Sequence, residues 1–211
     1  MQYNSCFYTL TLTATPSGAV CWDQNGVVHQ YDHHTGKFNE LKLSGDQLPG
    51  AYVDNSSIVY DSKRDRVLML NTLGYQKPFD GQVWELDLKT KVVKGLSPAG
   101  KEQADRLNTI DKSCYDAAND LLLIGTFLKD GPEHTRTPAY DCANNRWVSV
   151  DIAYQTATHG GRIIRNFPNT RSDGILFDPQ RQLIWGTDTH SQVYVLRLEL
   201  PADGSGLIPL Q

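Results

Sequence analysis

Along residues 56–96, SSIVYDSKRDRVLMLNTLGYQKPFDGQVWELDLKTKVVKGL, apolar runs and polar clusters alternate at strand length. The pattern predicts strands over 56–61, 66–73, 82–88 and 91–96. Each is rich in Val, Ile, Leu, Tyr or Trp, and each is bounded by Asp, Ser, Lys, Gly or Asn residues that turn the chain. Four such strands make one antiparallel meander, which cannot bury both of its faces alone. The rest of the chain must supply its neighbours.

Those neighbours are visible as repeats. VVHQYDHHTGKFNEL, QVWELDLKTKVVKGL and TPAYDCANNRWVSV share an aromatic or aliphatic residue followed by Asp, a polar turn and a short strand. The aspartates are Asp32, Asp87 and Asp141, at intervals of 55 and 54 residues, and QVYVLRLELPADGSGLIPL places Arg197 at the same position 56 residues later. The first strands echo one another in IVYDSKRDRVLML, SCYDAANDLLLIG and ILFDPQRQLIWG, through Tyr60-Asp61, Tyr115-Asp116 and Phe177-Asp178; FYTLTLTATPSGAVCW uses Pro-Ser-Gly instead. A period near 55 over the whole chain predicts an all-β fold, a β-propeller of about four four-stranded antiparallel blades. The blades fall at about 7–43, 56–96, 109–151 and 173–210 of a single domain. The one helical candidate, 100–107 (GKEQADRL), is long enough for a turn or two.

These aromatic–Asp hairpins, with a Trp or Tyr in the third strand, resemble kelch-type propeller repeats over nearly the whole chain. The glycine doublet that typically ends the second kelch strand is replaced here by Trp-Asp-Gln-Asn, Leu-Asn-Thr-Leu, Gly-Thr-Phe-Leu and Gly-Thr-Asp-Thr, so the repeats are kelch-like. Four blades imply either a loosely closed ring or part of a larger propeller, and the second is the preferred expectation. An open array would expose an apolar blade face at each end, favouring self-association or missing neighbouring blades.

In blades of this kind the second-to-third strand loops and the blade-to-blade links gather on one face, here 74–81, 129–138, 44–55, 97–108 and 151–173. Long connections on a rigid scaffold are where binding usually resides. The longest, DIAYQTATHGGRIIRNFPNTRSD, concentrates His159, Arg162, Arg165 and Arg171, with Gly160-Gly161 permitting close backbone approach. His134 and Arg136 are expected on the same face. Together they suggest a site for a carboxylate or other anion, because guanidinium groups grip such ligands bidentately. The alternative is that they pair with neighbouring carboxylates or are solvated.

A second constellation comes from the ends of second strands, Gln24 or Asn25, Asn71, Thr126 and Asp188, and the starts of first strands, Asp54, Asn108 and Asp173. Oxygen ligands so placed suit Ca²⁺, or line a watered channel. Blade four, SDGILFDPQRQLIWGTDTHSQVYVLRL, resembles the late repeats of the senescence marker protein and gluconolactonase family. That resemblance implies a divalent cation and hydrolysis of lactones or organophosphates, with Asp188 at the metal-binding Asp, Asp173 in the second motif and Asn71 matching the Asn ligand loosely. The family's Glu-Gly-Pro glutamate has no counterpart.

Composition narrows the classes. With 39% hydrophobic residues the chain lies outside the disordered regime, and a net charge of −4 with a pI near 5.8 offers no general attraction to nucleic acid or anionic membrane. No leader-like or membrane-spanning apolar segment is read, which leaves the compartment open. Convincing GxSxG, HExxH, GxGxxG and GxxxxGK[ST] motifs are lacking. The expectation is a binding module for a protein or small anionic ligand, without a cofactor, with a Ca²⁺-dependent lactonase as the alternative. Cys6, Cys21, Cys114 and Cys142 form no CxxC pair and read as buried thiols; a tight hairpin at Pro16–Gly18 would set Cys21 opposite Leu12. Trp22, Trp84, Trp147 and Trp185 all fall in strands and read as blade packing.

Overall fold

The structure, a computed structural model, describes residues 11–51, 56–72, 79–107, 112–124, 128–129, 134–153, 158–159, 162–163, 172–188, 193–201 and 206–210. Blade one is the meander β1 (Thr11–Thr15), β2 (Gly18–Trp22), β3 (Val28–Asp32) and β4 (Lys37–Glu40). A two-residue strand, β5 (Ser44–Gly45), precedes blade two: β6 (Ser56–Asp61), β7 (Arg66–Thr72), β8 (Phe79–Asp87) and β9 (Val92–Leu96). A 3-10 helix follows at Lys101–Arg106. Blade three comprises β10 (Ser113–Asp116), β11 (Leu121–Ile124), the short β12 (Leu128–Lys129), β13 (His134–Asp141) and β14 (Arg146–Ala153). A hairpin of β15 (Thr158–His159) and β16 (Arg162–Ile163) comes next. Blade four is β17 (Ser172–Asp178), β18 (Leu183–Asp188) and β19 (Val193–Leu196), and the last strand is β20 (Leu207–Pro209). The fold is an all-β, four-bladed β-propeller, and the chain divides into two compact units, Met1–Asp111 and Lys112–Gln211, of two blades each.

The recurring Asp is a turn-forming residue. In six hairpins an Asp ends one strand and its carboxylate accepts backbone N–H groups two or three residues on: Asp32 from His34, Asp61 from Lys63 and Arg64, Asp87 from Lys89 and Thr90, Asp116 from Ala118 and Asn119, Asp141 from Asn144, and Asp178 from Gln180 and Arg181. The side chain three residues on binds the same carboxylate through Thr35, Arg64, Thr90, Asn119, Asn144 and Arg181. The residue four positions on then takes a left-handed conformation: Gly36, Asp65, Lys91, Asp120, Asn145 and Gln182, with φ between 49° and 66°. This local bonding is the Asx-turn mechanism, and it fixes where each strand reverses.

The aromatic residue ahead of the Asp completes the motif. Tyr60 donates to Asp65 at 2.8 Å, Tyr115 to Asp120 at 2.7 Å and Tyr140 to Asn145 at 2.9 Å. Each hydroxyl therefore holds the side chain of the left-handed residue, offsetting part of the cost of that conformation in an L-amino acid. In blades two and three the turn also anchors an arginine. Arg66 Nε lies 2.9 Å from Asp61 and its Nη1 reaches Glu85, while Arg146 Nε lies 2.8 Å from Asp141.

Within the first unit, Val20, Trp22 and Val28 of blade one pack against Ile58, Val67, Met69, Leu86 and Val93 of blade two. The link between them is tied down as well. Leu48 and Ala51 join that core, Trp22 Nε1 donates to the Pro49 carbonyl at 3.0 Å, and Gly95 N–H donates to Asp46 at 2.8 Å. In the second unit, Cys114, Leu121, Leu123, Ala139, Val148 and Val150 of blade three meet Ile184, Ile175, Phe177 and Leu196 of blade four. Cys21, Cys114 and Cys142 are buried free thiols, and Cys21 stands opposite Leu12 as the tight first hairpin requires. Of the tryptophans, Trp22 and Trp147 are fully buried, whereas Trp185 is 37% exposed.

Two outer strands depart from a simple four-strand reading. β5 adds parallel to β9, pairing Ser44 with Val92 and Gly45 with Val93. Gly45 has φ 93°, and a Cβ there would collide with the Val93 carbonyl, so a glycine is needed. The segment 207–210, expected as the outer strand of blade four, instead pairs through β20 with β14 of blade three, Leu207 opposite Val150 and Pro209 opposite Val148. Leu207 thereby packs on the core that Val148 and Val150 already form. The expected 100–107 turn is present as the 3-10 helix. Among the described residues no helix is long and apolar enough to cross a membrane.

The aspartate turns set an acid limit on stability. Hydrogen bonding from Thr35 and His34 holds Asp32 below the ordinary carboxylate value, as that from Thr90 and Lys89 does Asp87 and that from Arg181 does Asp178. At Asp141 burial pushes upward, but Asn144 and Arg146 prevail and the net shift is downward. Folded values below unfolded ones stabilise fully above the unfolded aspartate pKa of about 3.9, and the contribution is lost as pH falls through the folded values. Urea midpoints should therefore drop steeply below about pH 4, and Asp141→Asn should flatten part of that drop. Gln182→Gly, at φ 53°, should raise the unfolding free energy by about 1 kcal/mol in the same assay.

Candidate functional site

At the end of blade three opposite the Asp141 turn, β13 and β14 run on beyond the partners they share with β11. The β11 pairing stops at Leu123 opposite Ala139, while β13 and β14 stay paired to His134 opposite Ala153. The sequence explains the change. Pro138 has no N–H to give a ladder, and it falls in the gap between the β11 partners and those of β12, where Arg136 faces Leu128. Thr137 closes the gap by donating its hydroxyl to the Ile124 carbonyl at 3.0 Å. The blade is extended there by β12, β13 and β14, and the extension carries His134 and Arg136.

Arg136 is in register with Asp151, and His134 with Ala153. Five residues later β15 begins, so Thr158 can lie no more than roughly 18 Å from Ala153 along the chain. The β15–β16 hairpin sets His159 directly opposite Arg162 across residues 160–161. The structure thus places His134 and Arg136 on one strand end and His159 and Arg162 on the hairpin that follows it. Arg165 and Arg171 lie outside the described residues.

The oxygen-ligand residues are distributed differently. Asn71 is the last residue but one of β7 in the first unit and is 2% exposed. Its Oδ1 accepts from the Ser56 hydroxyl at 2.7 Å, and its Nδ2 donates to the Gly50 carbonyl at 2.7 Å. The side chain ties the inter-blade link to the first strand of blade two. In the second unit Ser172 pairs with Asp188, and the register shifts between Ser172 and Gly174, so Asp173 sits at a bulge beside the Asp188 end of β18. Gln24 and Asn25 are exposed in the β2–β3 turn, where Asp23 accepts the N–H groups of Asn25 and Val27; Asp54, Asn108 and Thr126 lie outside the described residues.

One cavity was not foreseen. In the second unit, an open cleft of about 290 Å³ lies between the β10–β11 turn, the β17–β18 turn and the segment after β19. Arg181 and Arg197 line it together with the carboxyl-bearing Asp116 and Glu199. The sequence did carry a signal, since Arg197 stands where the other three repeats have Asp. Its Nη2 donates to the Arg181 carbonyl at 3.4 Å, so the fourth repeat uses a cation where its siblings form an Asp turn.

Neither Cys21 nor Cys114 has the character of a nucleophile. Burial, reinforced by Asp23, pushes Cys21 up to about 11, and burial with Asp116 moves Cys114 up further.

If Asn71 holds the link as described, Asn71→Ala leaves the Gly50 carbonyl and the Ser56 hydroxyl without that partner. The expected loss is about 1–3 kcal/mol in urea unfolding at neutral pH, and a loss below about 0.5 kcal/mol would show the contacts to be incidental. In comparisons with known proteins, no family model matches the chain, and no curated protein does either.

Proposed function

We propose that the protein is a kelch-like β-propeller that acts as a binding module for a carboxylate-bearing ligand, a protein segment or a small anion. The contact surface is the long-loop end of the second unit. The observation that carries this reading is that the β13 extension bearing His134 and Arg136 is followed, a few residues after β14, by the hairpin that pairs His159 with Arg162. Three further considerations support it. The short Asp turns at the other end of the blades are committed to their own backbone hydrogen bonds. A rigid sheet that projects irregular connections is the usual platform for recognition. In a chain of net charge −4, a local concentration of basic residues needs a local reason. Propellers host unrelated functions, so the reading rests on these residues and not on the fold.

The probe is a fluorescein-labelled hexaglutamate peptide, followed by anisotropy at low salt. Saturable binding is expected, weakened about tenfold or more by Arg162→Glu, in line with roughly 1.5–3 kcal/mol for a hydrogen bond to a charged group. An unlabelled glycine-serine peptide of equal length should not compete. Absence of saturable binding, or equal affinity in Arg162→Glu, would overturn the reading.

A further inference from the structure

Sheet edges are pairing sites unless something blunts them, and the outer edges of these blades differ in this respect. On blade one, β4 reads Lys-Phe-Asn-Glu, with all four residues exposed and a charge at each end. On blade two the outermost strand is β5, only two residues long. On blade three it is β20, three residues ending in Pro209, which has no N–H to offer. Blade four ends on β19, Val-Tyr-Val-Leu, which contains no charge, proline or glycine. Among the described residues β19 pairs only with β18, and the segment that follows it in sequence has gone to blade three as β20.

The face behind this edge is apolar as well. Leu176, Trp185 and Val195 are consecutive cross-strand partners, one from each strand of blade four, and they form a row across the sheet. They are 66%, 37% and 48% exposed, and Val193, two residues from Val195 on the same face, is 64% exposed. The opposite face of the same blade is packed through Ile175, Phe177, Ile184 and Leu196. An uncharged, β-branched strand thus sits at an open edge, at the end of an exposed apolar row.

We propose that β19 is a self-association edge, at which a second copy of this chain pairs its own β19 antiparallel about a two-fold axis. An added strand must be short and uncharged and must carry apolar side chains in step with Val193 and Val195. The chain's own β19 has these properties, and a two-fold arrangement satisfies both open edges at once. The product is a continuous six-stranded sheet in which the Leu176–Trp185–Val195 row runs on into its symmetry mate. Four residues per copy make a small contact, so the dimer is weak and depends on concentration. This inference is independent of the binding-module reading.

The test is light scattering over a concentration series, with amide hydrogen exchange read on residues 193–196. The mass should rise from 23.6 kDa towards twice that value, and the exchange of these amides should slow in parallel. Val195→Lys and Val193→Lys replace exposed side chains, and each should hold the chain at monomer mass with an unchanged circular dichroism spectrum. A wild-type mass of 23.6 kDa at every concentration would overturn the proposal. So would association that survives both lysine substitutions, or association without slower exchange at 193–196, which would place a partner elsewhere.

Discussion

The hydrogen-bonded aspartate that ends a strand is the constraint on which the blades depend. A carboxylate that captures the N–H groups two and three residues ahead, together with the side chain at the third, leaves the chain little choice about where to reverse. In six hairpins this occurs with the same spacing, and a left-handed residue always follows four positions after the Asp. Since side chains alternate between sheet faces, a turn moved by one residue would send every core side chain to the wrong side. Reversal points fixed by local chemistry therefore determine which residues reach the core.

Packing shows the consequence. In β7, Val67, Leu68, Met69 and Leu70 are all fully buried, and in β11 the whole run Leu121–Ile124 is buried. Such strands need no alternation, because both of their faces are covered. Blade four is different: Ile184 is buried while its neighbour Trp185 is exposed, and Phe177 packs while Leu176 does not. The half-covered blade is also the one whose repeat carries Arg197 in place of Asp, and whose expected last strand serves blade three. These three departures from the repeat fall together on blade four, which follows the long basic connection in sequence.

Much of the architecture was legible because its determinants are local. The Tyr-Asp and Phe-Asp pairs at 60–61, 115–116 and 177–178 mark reversals that the structure makes, and strand limits in blade two were read to within a few residues. The destination of β20 was not legible, since Leu-Ile-Pro fits the edge of either neighbouring blade and only the packing of Leu207 beside Val148 and Val150 distinguishes them. β5 was missed for a similar reason, because two residues carry no periodicity. At the candidate site, the sequence showed which residues were basic but not how they are positioned. Pro138 and Thr137 extend β13 beyond its inner partner, and the pairing of His159 with Arg162 is a register that composition does not encode. The cavity beside Arg197 depends on side chains from three separate segments.

The most direct test of this account is a titration of the aspartate side-chain carboxyl carbons by NMR in the folded protein. Asp32, Asp87, Asp141 and Asp178 should all titrate below the ordinary aspartate value, because in each the ionised form is the one that the turn's donors hold. Midpoints at the ordinary value in these four residues would contradict it, showing that the carboxylates do not hold the turns and that strand reversal in the blades has another cause.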